Sequence, residues 1–343
     1  MNVRELSSAA ARPRIQLAIG GTGTVGSAIV ERLLAQNGSD DVRVLSRDDS
    51  KQFELWDRLG RNDRLRMLLG DLRDRERLMR AFEGVDTVFH AAGLKHVTGC
   101  EYNPFEAVKT NVVGTQNVID AAIACGVRRL VFTSTDKAAN PSSTMGASKL
   151  LGERLMTAAR LHKGPAPTVF CSVRFGNVFG SRGSVVPAFA RQISQGGPIL
   201  ISDPNVTRYV ITCEEAIDLV FEAAERATGG EVFVLKMPAV RLGDLATMMT
   251  EILAPRYGYR VEDIPIQVTG AASGEKPFEE LLTPEEALRA VDVGRMIVIL
   301  PTRDERDALA DSVGVKAQIS DEIELLPREE IAAYLGALLR EAA

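Results

Sequence analysis

Residues 17–30 read LAIGGTGTVGSAIV, and this stretch decides the fold. A short apolar run ends in Gly20, Gly23 and Gly26 at three-residue spacing and passes directly into a segment of helical period, TVGSAIVERLLAQ. Gly20 can make the tight turn, Gly23 lets backbone approach a pyrophosphate, and Gly26 allows the helix to pack closely on the strand, with phosphate charge at the helix N-terminus. Thr22, Thr24 and Val25 share that turn and join the glycines as candidate cofactor contacts. Taken alone, three glycines would also suit an ordinary tight turn. Their place between a first strand and a first helix points to a dinucleotide.

The same rhythm continues outward. Apolar runs at 15–19, 42–46, 65–69, 86–92, 128–134 and 168–176 alternate with amphipathic segments such as RDRERLMRAF and MGASKLLGERLMTAARL. Strands apolar on both sides, each followed by a helix, predict an α/β fold: a Rossmann-type doubly wound parallel sheet. The rhythm changes after Gly176, where shorter elements and loops take over. We therefore expect a dinucleotide-binding Rossmann domain over 15–180 and a smaller, mainly substrate-binding domain over 181–343, some of whose segments return to the sheet. The segment RDERDALADSVGV reads as a mobile acidic stretch, and the last helix, REEIAAYLGALL, as one that packs back.

Composition narrows the function. Of 343 residues, 45% are hydrophobic and 25% charged, which argues against disordered and coiled-coil classes. The net charge of −5 comes without a cluster of Lys and Arg, so nucleic acid is not an expected partner. Cys100, Cys125, Cys171 and Cys213 are widely spaced and signal neither a disulfide framework nor a metal site. No apolar run approaches the roughly 18 residues that span a bilayer, and the first residues lack a hydrophobic signal core. A cytoplasmic protein is expected.

The second strand ends in Ser46 and Arg47, with Lys51 one turn on, where a reader of the ribose 2′-hydroxyl would present an acid. Two cations there favour the 2′-phosphate of NADP, although Asp48 turning inward would favour NAD. Asp71 and Leu72 follow the third strand, beside the expected adenine, and Ala91, Ala92 and Gly93 follow the fourth. After the fifth strand, Ser134, Thr135, Asp136 and Lys137 stand at the carboxyl edge of the sheet, and Asn140-Pro141 leads into a helix bearing Lys149. An adjacent acid and base beside a nicotinamide suit elimination of water, since one group protonates a leaving hydroxyl while another removes a carbon-bound proton. TDK would also serve as a plain capped turn.

GGTGTVG, SRDDSKQ, LKHVTGCEYNPFEAVKTNVVGTQNVIDAA, STDKAANPSSTMGASK, RFGNVFGSRGSVVP, VTRYVIT and GEKPFEELL together resemble the extended short-chain dehydrogenase/reductases that act as UDP-N-acetylglucosamine 4,6-dehydratases in polysaccharide biosynthesis. The resemblance spans residues 15–285. It implies a retained NADP that takes hydride from C4 of the hexose and returns it to C6 after water leaves across C5 and C6, with or without inversion at C5. It assigns Lys149 to the nicotinamide ribose, Asp136 to protonating the C6 hydroxyl, Lys137 to the base at C5 and Thr135 to the C4 hydroxyl. It also places Lys95, Asn177 and Arg208 on the nucleotide-sugar side and Glu275 at the uridine ribose; His96 and Ser184 are further candidates for the substrate side.

Two departures stand out. Met145 occupies the place of the usual tyrosine four residues before Lys149, a change that part of the dehydratase group shares. Ala272 stands where a diphosphate-binding arginine would. Elsewhere, His90 reads as structural, His96 as a loop or substrate contact, and Trp56 as a packing residue. Helices over 103–124 and 146–161 are long enough to pair with a partner's copies, so the resemblance implies a homo-oligomer. A nucleotide-sugar 4-epimerase and a non-catalytic NADP-binding protein are the competing readings.

Overall fold

The computed structural model describes residues 13–36, 40–271, 273–309 and 314–341. Six parallel strands form where the apolar runs predict them: β1 (Ile15–Ile19), β2 (Asp41–Ser46), β3 (Leu65–Leu69), β4 (Thr87–His90), β5 (Arg129–Thr133) and β6 (Val169–Arg174). They lie in the order β3-β2-β1-β4-β5-β6. The direction of winding reverses between β1 and β4, which opens a crevice at the carboxyl ends of the strands.

Alternation along each strand explains why the runs are continuously apolar. Leu17 and Ile19 of β1, Leu130 and Phe132 of β5, and Phe170 of β6 enter one core, whereas Ala18, Val131, Cys171 and Val173 enter the other. α1 (Thr24–Ala35) covers the second core. α2 (Asp49–Arg58) follows β2, and α3 (Arg75–Phe82) covers the first core through Leu78 and Phe82. Next come α4 (Val97–Tyr102), α5 (Pro104–Ala107) and α6 (Gly114–Ala124), then the long α7 (Thr144–His162). The helix expected over 103–124 is present but contains a π-helical turn, Val108–Val113.

The later half both extends the sheet and builds beside it. β7 (Asn177–Val178), β8 (Ile199–Ile201) and β9 (Thr207–Ile211) leave the sheet, and β10 (Val232–Leu235) returns to it, parallel to β6. β11 (Ala239–Arg241) pairs with β9, and β12 (Ile266–Val268) with β8. β13 (Glu280–Leu282) precedes β14 (Ala290–Asp292) and β15 (Met296–Ile299), which complete nine strands in antiparallel fashion. β16 (Gln318–Ile319) pairs with β13. A separate apolar cluster joins α8 (Val185–Ser194), β8 and, beyond α9 (Cys213–Arg226), α10 (Leu242–Leu253); Ile331 and Leu335 of the last helix pack into it.

Two local expectations change. Trp56 is 36% exposed and carries the Arg61 guanidinium 5.4 Å from its ring, so it lies at the surface of α2 and not in a core. In the acidic segment, Arg303–Asp307 forms a short helix, while residues 310–313 lie outside the described residues. Among the described residues no helix is long and apolar enough to cross a membrane.

Candidate active site

A cleft of about 1170 Å³ runs along the carboxyl ends of the strands. Its first half is shaped by missing side chains. A Cβ on Gly20, whose φ is +76°, would stand 2.8 Å from the Ala92 backbone, and one on Gly26 would stand 2.2 Å from the Gly20 carbonyl oxygen. Gly23 begins α1 with no side-chain cap, and a Cβ there would meet only the Gly20 carbonyl, at 3.3 Å. The helix N-terminus therefore faces the cleft ready for an anion. Residues Gly20, Thr22, Gly23, Thr24, Val25 and Gly26, with Ser46, Arg47, Lys51, Asp71, Leu72, Ala91, Ala92, Gly93 and Lys149, all line this one cleft. They fit an extended dinucleotide.

At the tip of β2 the charges are paired. Asp48 caps α2 by accepting from the Lys51 amide, and its carboxylate lies 2.5 Å from the Lys51 ammonium. Asp71 meets Arg73 at 2.8 Å and Arg47 at 3.4 Å. Burial raises the Asp71 carboxyl, but its bonds to Arg73 and the charge of Arg47 bring it below the usual range. Ser46 is held by the Gln52 amide at 3.0 Å. Asp48 is thus committed to its helix.

Lys149 stands at the middle of the cleft. Its ammonium donates to the Thr133 carbonyl at 2.9 Å and lies 4.6 Å from the centre of the Phe132 ring. Burial pulls its pKa down to about 8, only partly offset by Glu153. Glu153 is itself engaged by Arg174, a fully buried guanidinium on β6 that also pairs with Glu286. The π turn presents Asn111 inward, where it accepts from the Leu94 amide at 2.7 Å and donates to Ser148 at 2.9 Å, tying the loop after β4 to α7. Asn111 went unnoticed in the sequence because its helical period looks unbroken.

The turn after β5 gathers the reactive groups. Asp136 is fully buried, and its Oδ1 accepts from Thr135 Oγ1 at 2.9 Å, from the Lys137 amide at 2.8 Å and from Lys137 Nζ at 3.0 Å. Its Oδ2 has no hydrogen-bond partner among the described residues. Lys137 Nζ also reaches Glu279 Oε1 at 3.3 Å and Asn177 Oδ1 at 3.5 Å. Burial pulls the pKa of Lys137 down, but the charges of Asp136 and Glu279 outweigh it, so Lys137 is held charged above its ordinary value.

Met145 is buried against Cys100 and Ala107 and lines the cleft, one helical turn before Lys149. Lys95, His96, Asn177 and Ser184 line the far half of the cleft. Lys95 donates to the Arg182 carbonyl at 2.6 Å, and the His96 ring abuts Gly183. Arg208 and Glu275 form a layer behind Asn177 and Lys137: Arg208 meets Glu275 at 3.2 Å and Glu279 at 3.7 Å, while Ser202 donates to Glu275 at 2.7 Å. Ala272 lies outside the described residues. His90 is wholly buried against Thr115, and burial lowers its pKa to about 3, so it stays neutral.

A family model described as "Polysaccharide biosynthesis protein" matches residues 17–301. The chain belongs to this polysaccharide biosynthesis family. Among its relatives, an uncharacterized membrane protein of Methanocaldococcus jannaschii is 50% identical over 285 residues, covering 83% of this chain and 85% of that protein. A protein of Rickettsia prowazekii named UDP-glucose 4-epimerase is 40% identical, over 80% of this chain and 79% of its own. The crystal structure of Pen from Bacillus thuringiensis superposes with a TM-score of 0.88 at 42% identity, covering 95% of this chain and 97% of that one. The fold is thus shared with that structure over nearly its whole length.

Proposed function

We propose that the protein is an NADP-dependent 4,6-dehydratase of a UDP-N-acetylhexosamine, UDP-GlcNAc first, yielding the UDP-4-keto-6-deoxy sugar. The observation that supports this most is the pairing of buried Asp136 with half-buried Lys137 beside Thr135, in the turn that leads to the helix bearing Lys149. A dinucleotide held by the glycine turn, Arg47 and Lys149 would supply reversible hydride exchange with the sugar, out at C4 and back at C6, with no net oxidation.

The chain's own groups then manage protons and position. Lys149 anchors the nicotinamide ribose. Thr135 takes the C4 hydroxyl proton in place of the missing tyrosine and passes it along its 2.9 Å bond to Asp136. Asp136, now a neutral acid, delivers that proton to the departing C6 hydroxyl. Lys137, once neutral, removes the C5 proton and later returns one to C5. Arg47 and Lys51 exchange their carboxylate partners for the 2′-phosphate, which favours NADP over NAD. Asn177, with Arg208 in the layer behind it, faces the nucleotide sugar.

Epimerisation at C4, the activity in the name of the Rickettsia relative, uses the same hydride step. It has no use for a buried acid paired with an ammonium, and this favours dehydration. Incubation of the purified protein with UDP-GlcNAc separates the readings: a dehydratase product is lighter by one water in mass spectrometry, an epimer keeps its mass, and a binding protein changes nothing. Substrate deuterated at C4 is expected to yield product deuterated at C6 without added cofactor. Label lost to solvent refutes the internal cycle.

A further inference from the structure

Lys137 carries three N–H donors and meets three acceptors, on Asp136, Glu279 and Asn177. In that state it is an acid, not a base. To remove a proton from carbon, its nitrogen must first shed one of its own, and a carboxylate already in contact with it is the most direct place for that proton to go.

We infer that Glu279 is that place: it takes a proton from Lys137, leaving a neutral amine to abstract the C5 hydrogen of the sugar, and gives the proton back at the end of the cycle. The inference rests on the dehydratase reading above. The balance closes in four steps. Lys137 NH3+ and the Glu279 carboxylate become an amine and a carboxylic acid. The amine takes the C5 proton and is an ammonium again while water leaves and hydride reaches C6. That ammonium reprotonates C5 and returns to an amine. Glu279 then restores its proton to Lys137, and both groups are as they began.

Of the two carboxylates beside Lys137, Glu279 is the better suited. Asp136 Oδ1 already accepts three hydrogen bonds, and its proton traffic belongs to C4 and C6. Glu279 is 2% exposed, its Oε1 touches Lys137 at 3.3 Å and Arg208 only at 3.7 Å, and its Oε2 has no hydrogen-bond partner among the described residues. That second oxygen can carry a proton away from the amine. The charged groups facing Glu279 are Lys137 and Asp136 from the turn after β5 and Arg208 from β9. Among these, burial prevails and raises the Glu279 carboxyl above its ordinary range. Protonating Glu279 in turn removes one of the two charges that keep Lys137 an ammonium.

The backbone holds the carboxyl in register. The Glu279 amide donates to Ser320 Oγ at 2.9 Å, the Ser320 amide donates to the Glu279 carbonyl at 2.9 Å, and Ser320 Oγ lies 2.8 Å from Thr207 Oγ1, next to Arg208. Glu279 acts through Lys137 and is therefore a positioning residue for the proton, distinct from Glu275 in the same GEKPFEE stretch.

The test compares wild type with Glu279→Gln, both incubated with UDP-GlcNAc in deuterated buffer across a range of pH. The Gln protein should still oxidise C4, seen as transient absorbance of reduced nicotinamide. Its deuterium uptake at C5 and its release of water should fall by about 10²-fold or more near neutral pH. The deficit should shrink about tenfold per pH unit as solvent takes over the removal of the Lys137 proton. Normal C5 exchange in the Gln protein, or a deficit equal at every pH, overturns the inference. Should the Gln protein not fold, Glu279→Asp keeps a carboxyl and should retain C5 exchange; a folded Asp protein without it also overturns the inference. If wild type releases no water, the dehydratase reading fails and takes this one with it. If wild type dehydrates while the Gln variant exchanges normally, only the role of Glu279 fails.

Discussion

Replacing Lys149 by methionine should make the cofactor-free protein more stable at pH 7 and less functional. Lys149 is 8% exposed, and its pKa falls from 10.5 in the open chain to about 8 in the fold. At about 1.4 kcal/mol per pH unit, keeping this ammonium in the native state costs on the order of 3 kcal/mol of stability. The cost is fully present below pH 8 and is relieved between about pH 8 and 10.5. In that window the unfolded chain binds more protons than the native one, so stability rises with pH. Methionine has a similar length and no charge, but it forfeits the bond to the Thr133 carbonyl, worth about 1 kcal/mol. The variant should therefore gain about 2–3 kcal/mol at pH 7, and the gain should vanish by about pH 10.5. Tyr209 and Lys137, both raised, also affect alkaline stability, but they are common to the two proteins and cancel in the difference. Urea unfolding of both proteins, stripped of cofactor, at pH 7 to 10.5 measures that difference. Parallel curves, or a wild type that is the more stable at pH 7, would refute the claim that burial governs Lys149.

Arg47→Asp should weaken NADP far more than NAD in calorimetry, and equal losses would remove the basis for the 2′-phosphate assignment. Asp136→Asn should slow water release by about 10²–10⁴-fold with the dinucleotide still bound, and a loss under about tenfold would exclude it as the acid. Thr135→Val should abolish the transient absorbance of reduced nicotinamide, whereas Lys137→Ala should let it accumulate. A Thr135→Val protein that turns over normally while Met145→Ala is inactive would show the proton relay to be misplaced.

What was legible in the sequence is what the chain keeps local. The six parallel strands are runs apolar on both faces, and the cofactor contacts sit in the turns that directly follow them, so each motif carries its own structural context. Asp136 and Lys137 are neighbours in sequence and in space. Glu279 is different. It reaches Lys137 from 142 residues further along, and in GEKPFEE nothing local separates its role from that of Glu275, which the fold ties to Ser202 and Arg208. The charged state of Lys137 was illegible for the same reason: burial alone would lower its pKa, and the carboxylate that helps reverse the direction comes from a distant loop. The π turn at Val108–Val113 hides within an ordinary helical period, so the inward placement of Asn111 had no sequence signal.

Arg174 has a consequence for how the molecule comes apart. Its guanidinium, buried in β6, grips Glu153 of α7 on one side and Glu286, just beyond β13, on the other. Burial pushes the Glu286 carboxyl up, and Arg174 more than reverses this, holding it at about 2. Peeling the later half of the chain from the earlier would leave the Arg174 N–H groups that bond Glu286 and the Leu281 carbonyl without acceptors in the dry interior, at about 1–3 kcal/mol for each. The two halves should therefore melt together in a single calorimetric transition. A protease that nicks a surface loop between them should leave fragments that stay bound until the whole molecule denatures.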